Sequence, residues 1–143
     1  MNKKGLLVYL SVILITALVS GVQAQTFRIF DKPIIFDEER EKLSIEYLKN
    51  RHGIEKETAT IVPTMVVVHW TAVYSLESTF DVFNPVQLGG RPELTAASNL
   101  NVSAHFLVDR DGTIFRLLPD TTFARHTIGL NYTAIGFENI GGP

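Results

Sequence analysis

The feature that most restricts the fold is an unbroken apolar run at residues 65–68, Met-Val-Val-Val, followed by His69-Trp70-Thr71. β-Branched residues favour extended backbone, and a run without polar alternation is typical of a strand buried on both faces in the middle of a sheet. Ligands bind at the carboxyl ends of strands in open α/β sheets, so His69 is a candidate functional residue. A lone histidine in this position is more often structural, and the position alone does not decide between the two roles.

The segment before this strand predicts an extended lead-in and one helix. Residues 25–36 are expected to be extended and to pack on the domain through the apolar residues behind Pro33. Asp37 is a suitable N-cap for a helix over residues 38–51, which has acidic residues in its first turn, basic residues in its last turn and a glycine after it. His52 lies at the end of this helix, where a histidine usually serves as a favourable partner of the helix dipole.

Three strands are predicted after residue 100. Residues 104–108 and 113–118 are strand-like and flank Asp111-Gly112, a pair typical of tight hairpin turns. Residues 134–140 form another apolar run, interrupted by Glu138. A carboxylate in that setting is either paired or partly desolvated with a raised pKa, and the second state suits a general base.

No long helix or strand is predicted for the connection at residues 75–100. Pro85, Gly89-Gly90 and Pro92 interrupt it, so we expect a loop with one short helix around 94–99. Connections of this length often line a functional site.

The first 24 residues predict a signal peptide. Lys3 and Lys4 precede an apolar run from Leu6 to Val19, and Ala24 ends a suitable cleavage site. The run is shorter than the roughly 20 residues that a membrane span needs, so we expect export to the periplasm or the medium and no stable membrane span after cleavage. The chain has no cysteine, which excludes disulfides and attachment of a lipid to an N-terminal cysteine.

Length and charge restrict the class of protein further. A chain of 143 residues fits one domain, and we expect a monomer. Removal of the signal peptide takes two lysines from the 13 basic residues, which leaves 11 against 15 acidic residues. Nucleic-acid binding would require a basic stripe, so it is not expected.

Four sequence blocks carry a resemblance to a known family. Val-Val-His-Trp-Thr-Ala at 67–72, Asn-Val-Ser-Ala-His-Phe-Leu-Val at 101–108 with Asp-Gly-Thr-Ile at 111–114, Ala-Arg-His at 124–126, and Asn131 with Ile-Gly-Phe-Glu-Asn at 135–139 occur in this order. Together they resemble the type 2 amidases, a family that includes bacterial cell-wall amidases and animal peptidoglycan recognition proteins. The resemblance covers residues 62–143, so the chain divides into a signal peptide at 1–24, a lead-in and helix at 25–61, and this domain at 62–143.

The resemblance implies a fold and a reaction. The expected fold is α/β, a mixed central β-sheet flanked by helices, with its last part missing. The implied reaction is zinc-dependent hydrolysis of the amide between the lactyl group of N-acetylmuramic acid and L-alanine in peptidoglycan, in a groove that receives the glycan and its stem peptide.

The resemblance also implies roles for single residues. His69 matches a zinc ligand, and the other two ligands, a histidine and an aspartate or cysteine, would follow residue 143. Glu138 matches the general base of the bacterial amidases; the tyrosine that other members use is replaced here by Ala104. His126 matches a histidine near the substrate that is not the second ligand, Asn131 belongs to the same substrate-binding region, and His105 matches a strand position that is not a ligand.

Two other functions remain open from the sequence. A binding module that holds muropeptide without cutting it would need no metal, whereas a hydrolase needs three protein ligands and an open position on zinc. An interaction domain without a glycan function would leave the ordered blocks around His69, His126 and Glu138 unexplained. Since the 143 residues supply one matching ligand, we expect them alone to bind zinc weakly and to release no stem peptide.

Overall fold

The computed structural model describes residues 27–90 and 92–142, which form a five-stranded mixed sheet with three helices. The strand order is β1-β4-β3-β5-β2. The strands are β1 Ile29–Asp31, β2 Met65–Trp70, β3 Phe106–Val108, β4 Ile114–Arg116 and β5 Ala134–Asn139. β3 and β4 pair antiparallel, and the other neighbouring pairs are parallel. This confirms the expected mixed sheet with helices; the predicted signal peptide lies outside the described residues.

The helices are α1 Glu38–His52, α2 Leu76–Phe83 and α3 Pro92–Thr95. Among the described helices, none has the length and apolar character needed to span a membrane. α1 confirms the prediction from its caps: the Asp37 side chain accepts a hydrogen bond from Arg40 N at 2.9 Å, and Gly53 has a φ of 66°. Such a φ favours glycine, which therefore ends the helix.

The sequence does not predict α2, because the prolines and glycines within residues 75–100 favour a loop. Those breakers all lie after Phe83, whereas the helix begins at Ser75, whose Oγ accepts from Ser78 N at 3.2 Å. Leu76 and Phe83 are buried on the helix face that packs against the sheet. α3 is short and begins earlier than the predicted helix at 94–99.

The position predicted for β2 was wrong. β2 is an edge strand with β5 as its one described neighbour, and Val66 and Val68 are 57% and 69% exposed. The register places Val68 on the same face as Phe137, opposite to the face that carries Leu107 and packs with α2. An apolar β-branched run identifies a strand, but its burial depends on neighbours that the run does not specify.

The hairpin and β5 confirm the remaining strand predictions, with shorter β3 and β4 than expected. The hairpin turn is closed by a hydrogen bond from Gly112 N to Asp109 O at 2.9 Å. The lead-in is extended as expected, but it also adds β1 to the sheet beside β4. Behind Pro33, Ile34 is buried in the core while its two apolar neighbours are exposed.

One buried cation joins α1 to the end of α2. The Arg40 side chain is 1% exposed, and its Nη2 donates hydrogen bonds to the backbone carbonyls of Phe83, Asn84 and Pro85. Burial lowers the pKa of Arg40 to about 10, so the guanidinium still carries its charge at neutral pH. It therefore satisfies carbonyls that the end of a helix leaves without partners.

Candidate active site

His69 and Glu138 lie side by side on the sheet. β2 and β5 are parallel, and their register places His69 opposite Glu138. Paired residues on neighbouring strands point to the same face, and the strands are about 4.8 Å apart. The two residues therefore lie on neighbouring strands, on the face that packs with α2.

His126 approaches this pair from the loop between β4 and β5. The buried Asn131 side chain holds that loop, because its Oδ1 accepts hydrogen bonds from His126 N at 2.9 Å and Thr127 N at 2.6 Å. Asn131 is fully buried, so the structure gives it a supporting role. Direct contact of Asn131 with a substrate stays a prediction.

Three polar atoms meet where the loop reaches β2. His69 Nε2 lies 3.1 Å from His126 Nδ1, and Thr127 Oγ1 lies 3.0 Å from each of these nitrogens. Sequence reasoning missed Thr127, whose only signal is its place directly after His126. The arrangement joins the edge strand to the loop through side-chain contacts.

The hydrogen bonds assign the tautomer of His126. Its Nε2 lies 3.2 Å from the carbonyl oxygen of Ala134, and since that oxygen can only accept, Nε2 carries the proton. The pKa of His126 is lowered to about 4, mainly by burial. The bond to Ala134 opposes this shift, and the nearby His105 and His69 add to it. The ring is therefore neutral at pH 7, with the lone pair of Nδ1 directed at His69.

Burial also shifts the pKa values of the pair on the sheet. Desolvation lowers the pKa of His69, so its neutral form, which is the form that binds metals, is favoured. Desolvation raises the pKa of Glu138 to about 7. A carboxyl group that titrates near neutral pH is suited to accept and return a proton.

Small cavities follow one another along this face. Glu138 lines two of them, of about 200 and 150 Å³, and His126 lines the second together with Arg125. A third, of about 190 Å³, continues past His126 to Ile128. Another cavity, of about 460 Å³, lies between β1 and the segment after β4 and is lined by none of the candidate residues. The row of cavities forms a groove through the site.

His105 has a structural role in this arrangement. It is fully buried directly before β3; its Nε2 donates to Thr122 O at 2.8 Å, and its Nδ1 accepts from Gly136 N at 3.0 Å. Both ring nitrogens are thus used by backbone groups. This agrees with the resemblance, in which this position is not a ligand.

The histidine side chains in this site are of a type that binds transition metals. Neutral imidazole nitrogens are common zinc ligands, and two of them, His69 Nε2 and His126 Nδ1, lie 3.1 Å apart. Among residues 27–90 and 92–142, however, no group of three or more histidine, aspartate or glutamate side chains is placed to hold a metal ion.

Gly136 allows His126 to lie against β5, and this gives a testable prediction. A Cβ at Gly136 would lie 2.7 Å from Cγ of His126 and 2.9 Å from its Cδ2 and Nδ1, so the ring would have to move. Overpacking of this kind costs about 1–3 kcal/mol. We expect Gly136→Ala to lower the free energy of unfolding by that amount in urea titrations.

The matched control for this variant is Gly89→Ala. A Cβ at Gly89 meets no atom within 4 Å, so that substitution should leave stability nearly unchanged. Equal stabilities for the two variants would show that the His126 ring does not rest against Gly136.

Comparison with known proteins gives one family match. A protein-family profile described as N-acetylmuramoyl-L-alanine amidase matches residues 55–143. None of the curated proteins compared with the chain matches it.

Several solved structures are similar to the chain. The N-acetylmuramoyl-L-alanine amidase LysC from Clostridium intestinale is 18% identical, with 80% of this chain and 59% of that chain covered and a TM-score of 0.44. A mutant endolysin from Bacillus subtilis is 20% identical, with 80% and 61% covered and a TM-score of 0.44. PGRP-SA from Apis mellifera is 19% identical, with 58% and 52% covered and a TM-score of 0.41. The chain thus spans about three fifths of the length of the two bacterial structures.

Proposed function

Since the chain belongs to the N-acetylmuramoyl-L-alanine amidase family, we propose that the protein hydrolyses the amide between the lactyl group of N-acetylmuramic acid and L-alanine in peptidoglycan, with the help of zinc. The observation that carries the proposal is the register of His69 with Glu138 on one sheet face, in contact with the His126 loop. A potential metal ligand and a potential base are thereby neighbours on one face of the sheet.

We propose that Glu138 is the general base. With its pKa raised to about 7, its carboxylate can accept a proton from the attacking water and then give it to the leaving amine of L-alanine. The amine is a poor leaving group without that proton. Zinc, when bound through His69, supplies Lewis acidity toward the scissile carbonyl and the attacking water.

We propose that His126 belongs to the wall of the substrate groove. Its Nε2 proton is already used by Ala134, and its Nδ1 lone pair faces His69 Nε2 and Thr127 Oγ1. The neutral ring therefore offers no donor to this groove, and it offers an acceptor only when the contact with His69 opens. Asn131 acts through the loop that it holds and is a positioning residue. The export signal predicted at residues 1–24 fits this function, because the substrate lies outside the cytoplasm.

The test is hydrolysis of a purified muropeptide by the full-length gene product. We expect mass spectrometry to detect free stem peptide with an N-terminal L-alanine, and we expect a chelator to stop its release and added Zn²⁺ to restore it. His69→Ala should abolish the release, whereas His52→Ala should not, because His52 packs between Tyr47 and Tyr132.

Two outcomes would contradict this proposal. Cleavage that survives both the chelator and His69→Ala would exclude a zinc mechanism through this residue. Muropeptide binding without cleavage, unaffected by the chelator, would favour the alternative of a non-catalytic binding module, for which the lack of a three-ligand group in the described residues is the supporting observation.

A further inference from the structure

We propose that Arg125 is a positioning residue for substrate binding, because its buried guanidinium holds residues 94–100, here called the wall segment, in place beside the groove. This inference rests on the proposed function in one respect, the use of the groove by a muropeptide. Arg125 acts through the wall segment in this role and does not contact the scissile amide.

Arg125 borders the groove along much of its length. It lines the cavity of about 150 Å³ that contains Glu138 and the cavity of about 190 Å³ that continues past His126. It also lines a further cavity of about 290 Å³, which shares Leu94 with the preceding one. The wall segment therefore supplies a side chain to two of these cavities, and Arg125 lies beside all three.

The guanidinium of Arg125 donates hydrogen bonds to three backbone carbonyls of the wall segment. Its Nη1 donates to Ser98 O at 3.1 Å and to Leu100 O, and its Nη2 donates to Leu94 O at 3.1 Å. Arg125 is 5% exposed, so water competes little for these bonds. Because the guanidinium is planar with its donors in a fixed fork, it can hold both ends of the segment at once.

The rest of Arg125 is fixed to other parts of the fold. Ser103 N donates to Arg125 O at 2.9 Å, and Arg125 N donates to Ser103 Oγ at 3.1 Å. The guanidinium carbon lies 5.2 Å from the ring centroid of Tyr47, a buried residue of α1, and a cation in that position is attracted by the ring. Arg125 thus joins the wall segment to α1 and to the segment before β3, directly beside His126.

Loss of these bonds should weaken binding and leave the chemical step nearly unchanged. The apparent affinity for a ligand falls in proportion to the fraction of molecules in the binding-competent conformation. If the wall segment keeps its position in about one tenth of the molecules, KM rises about 10-fold, while the bound complex reacts at its usual rate.

The experiment compares Arg125→Met and Arg125→Lys with the unchanged full-length gene product in muropeptide hydrolysis. We expect Arg125→Met to raise KM about 10-fold and to change kcat less than about 2-fold, and calorimetry should show the same rise in the Kd for muropeptide. Arg125→Lys should raise KM less, because an ammonium keeps the charge and can donate to one end of the wall segment. The control is Arg28→Met, which removes an exposed arginine that lines none of the three cavities and should keep both KM and Kd.

The outcomes separate this inference from the proposed function. An unchanged KM and Kd in Arg125→Met would overturn the inference and leave the proposed function in place. A lower kcat with an unchanged KM would also overturn it, because that result indicates a loss of folded protein and not of binding. If the unchanged protein binds muropeptide without cleaving it, the Kd values alone decide; if it does neither, the proposed function and this inference are both overturned.

A measurement on the unchanged protein gives a result even if Arg125→Met does not fold. ¹⁵N relaxation should give backbone order parameters of about 0.85 for the wall segment, the value of rigid backbone, although most of the segment lies outside a helix. Values below about 0.6 would show that Arg125 does not hold the wall segment in place.

Discussion

Glu138→Gln is expected to lower the rate of muropeptide hydrolysis by about 10²- to 10⁴-fold, the usual contribution of a positioned general base. The amide is close in shape to the carboxylate, but it cannot accept the proton of the attacking water. The measurement is kcat/KM for stem-peptide release by the full-length gene product. Zinc binding should persist in this variant, because a base is not a ligand.

The pH dependence of the hydrolysis rate gives a second test of Glu138 as the base. Desolvation raises the pKa of Glu138 to about 7, and only the ionised form is a base, so the rate should fall as the pH drops through this value. A bound cation favours the carboxylate, so the acid limb should lie at or below about pH 7. An exposed carboxylate, Glu77, supplies the control: Glu77→Gln should leave both rate and profile unchanged. A Glu138→Gln variant that keeps the full rate would assign the base elsewhere.

Arg40→Met is expected to lower the free energy of unfolding by about 3 kcal/mol, the range seen when one partner of a buried charged network is removed. Methionine fills much of the space, but the carbonyls of Phe83, Asn84 and Pro85 would lose Arg40 as a donor. The end of α2 would keep the hydrogen bonds that Asn101 Nδ2 donates to Val82 O and Pro85 O. The measurement is a urea titration followed by circular dichroism.

The control for Arg40→Met lies on the same helix. Lys42 is exposed, so Lys42→Met should change stability by less than about 0.5 kcal/mol. Equal losses in the two variants would show that the Arg40 hydrogen bonds contribute nothing beyond the loss of a positive charge from α1.

The elements of the fold that the sequence predicts are those defined by residues close to them in the chain, such as helix caps and turn residues. Asp37 and Gly53 define α1 within one residue, because caps act on neighbouring backbone groups. Asp111-Gly112 likewise defines the hairpin turn. α2 was missed because its N-cap, Ser75, stands before a stretch in which prolines and glycines dominate the pattern.

Contacts between distant segments could not be predicted in this way. Arg40 and its acceptors are more than 40 residues apart. The sequence around Arg40 does not indicate which carbonyls it binds, and the sequence around these carbonyls does not indicate their donor. The same holds for Thr127 and His69, 58 residues apart. His69 and Glu138 could be identified because His69 follows an apolar run and Glu138 interrupts one, and the family resemblance implied a role for each.

The edge position of β2 has a consequence for how the site responds to its ligand. A strand held by one neighbour opens with the loss of a single ladder, so the amide protons of β2 should exchange with solvent through local openings and not only through global unfolding. His69 moves with that strand, whereas His126 belongs to the loop in front of β5. Any ligand that contacts both side chains would therefore make the strand more resistant to local opening, because its binding free energy favours the closed state.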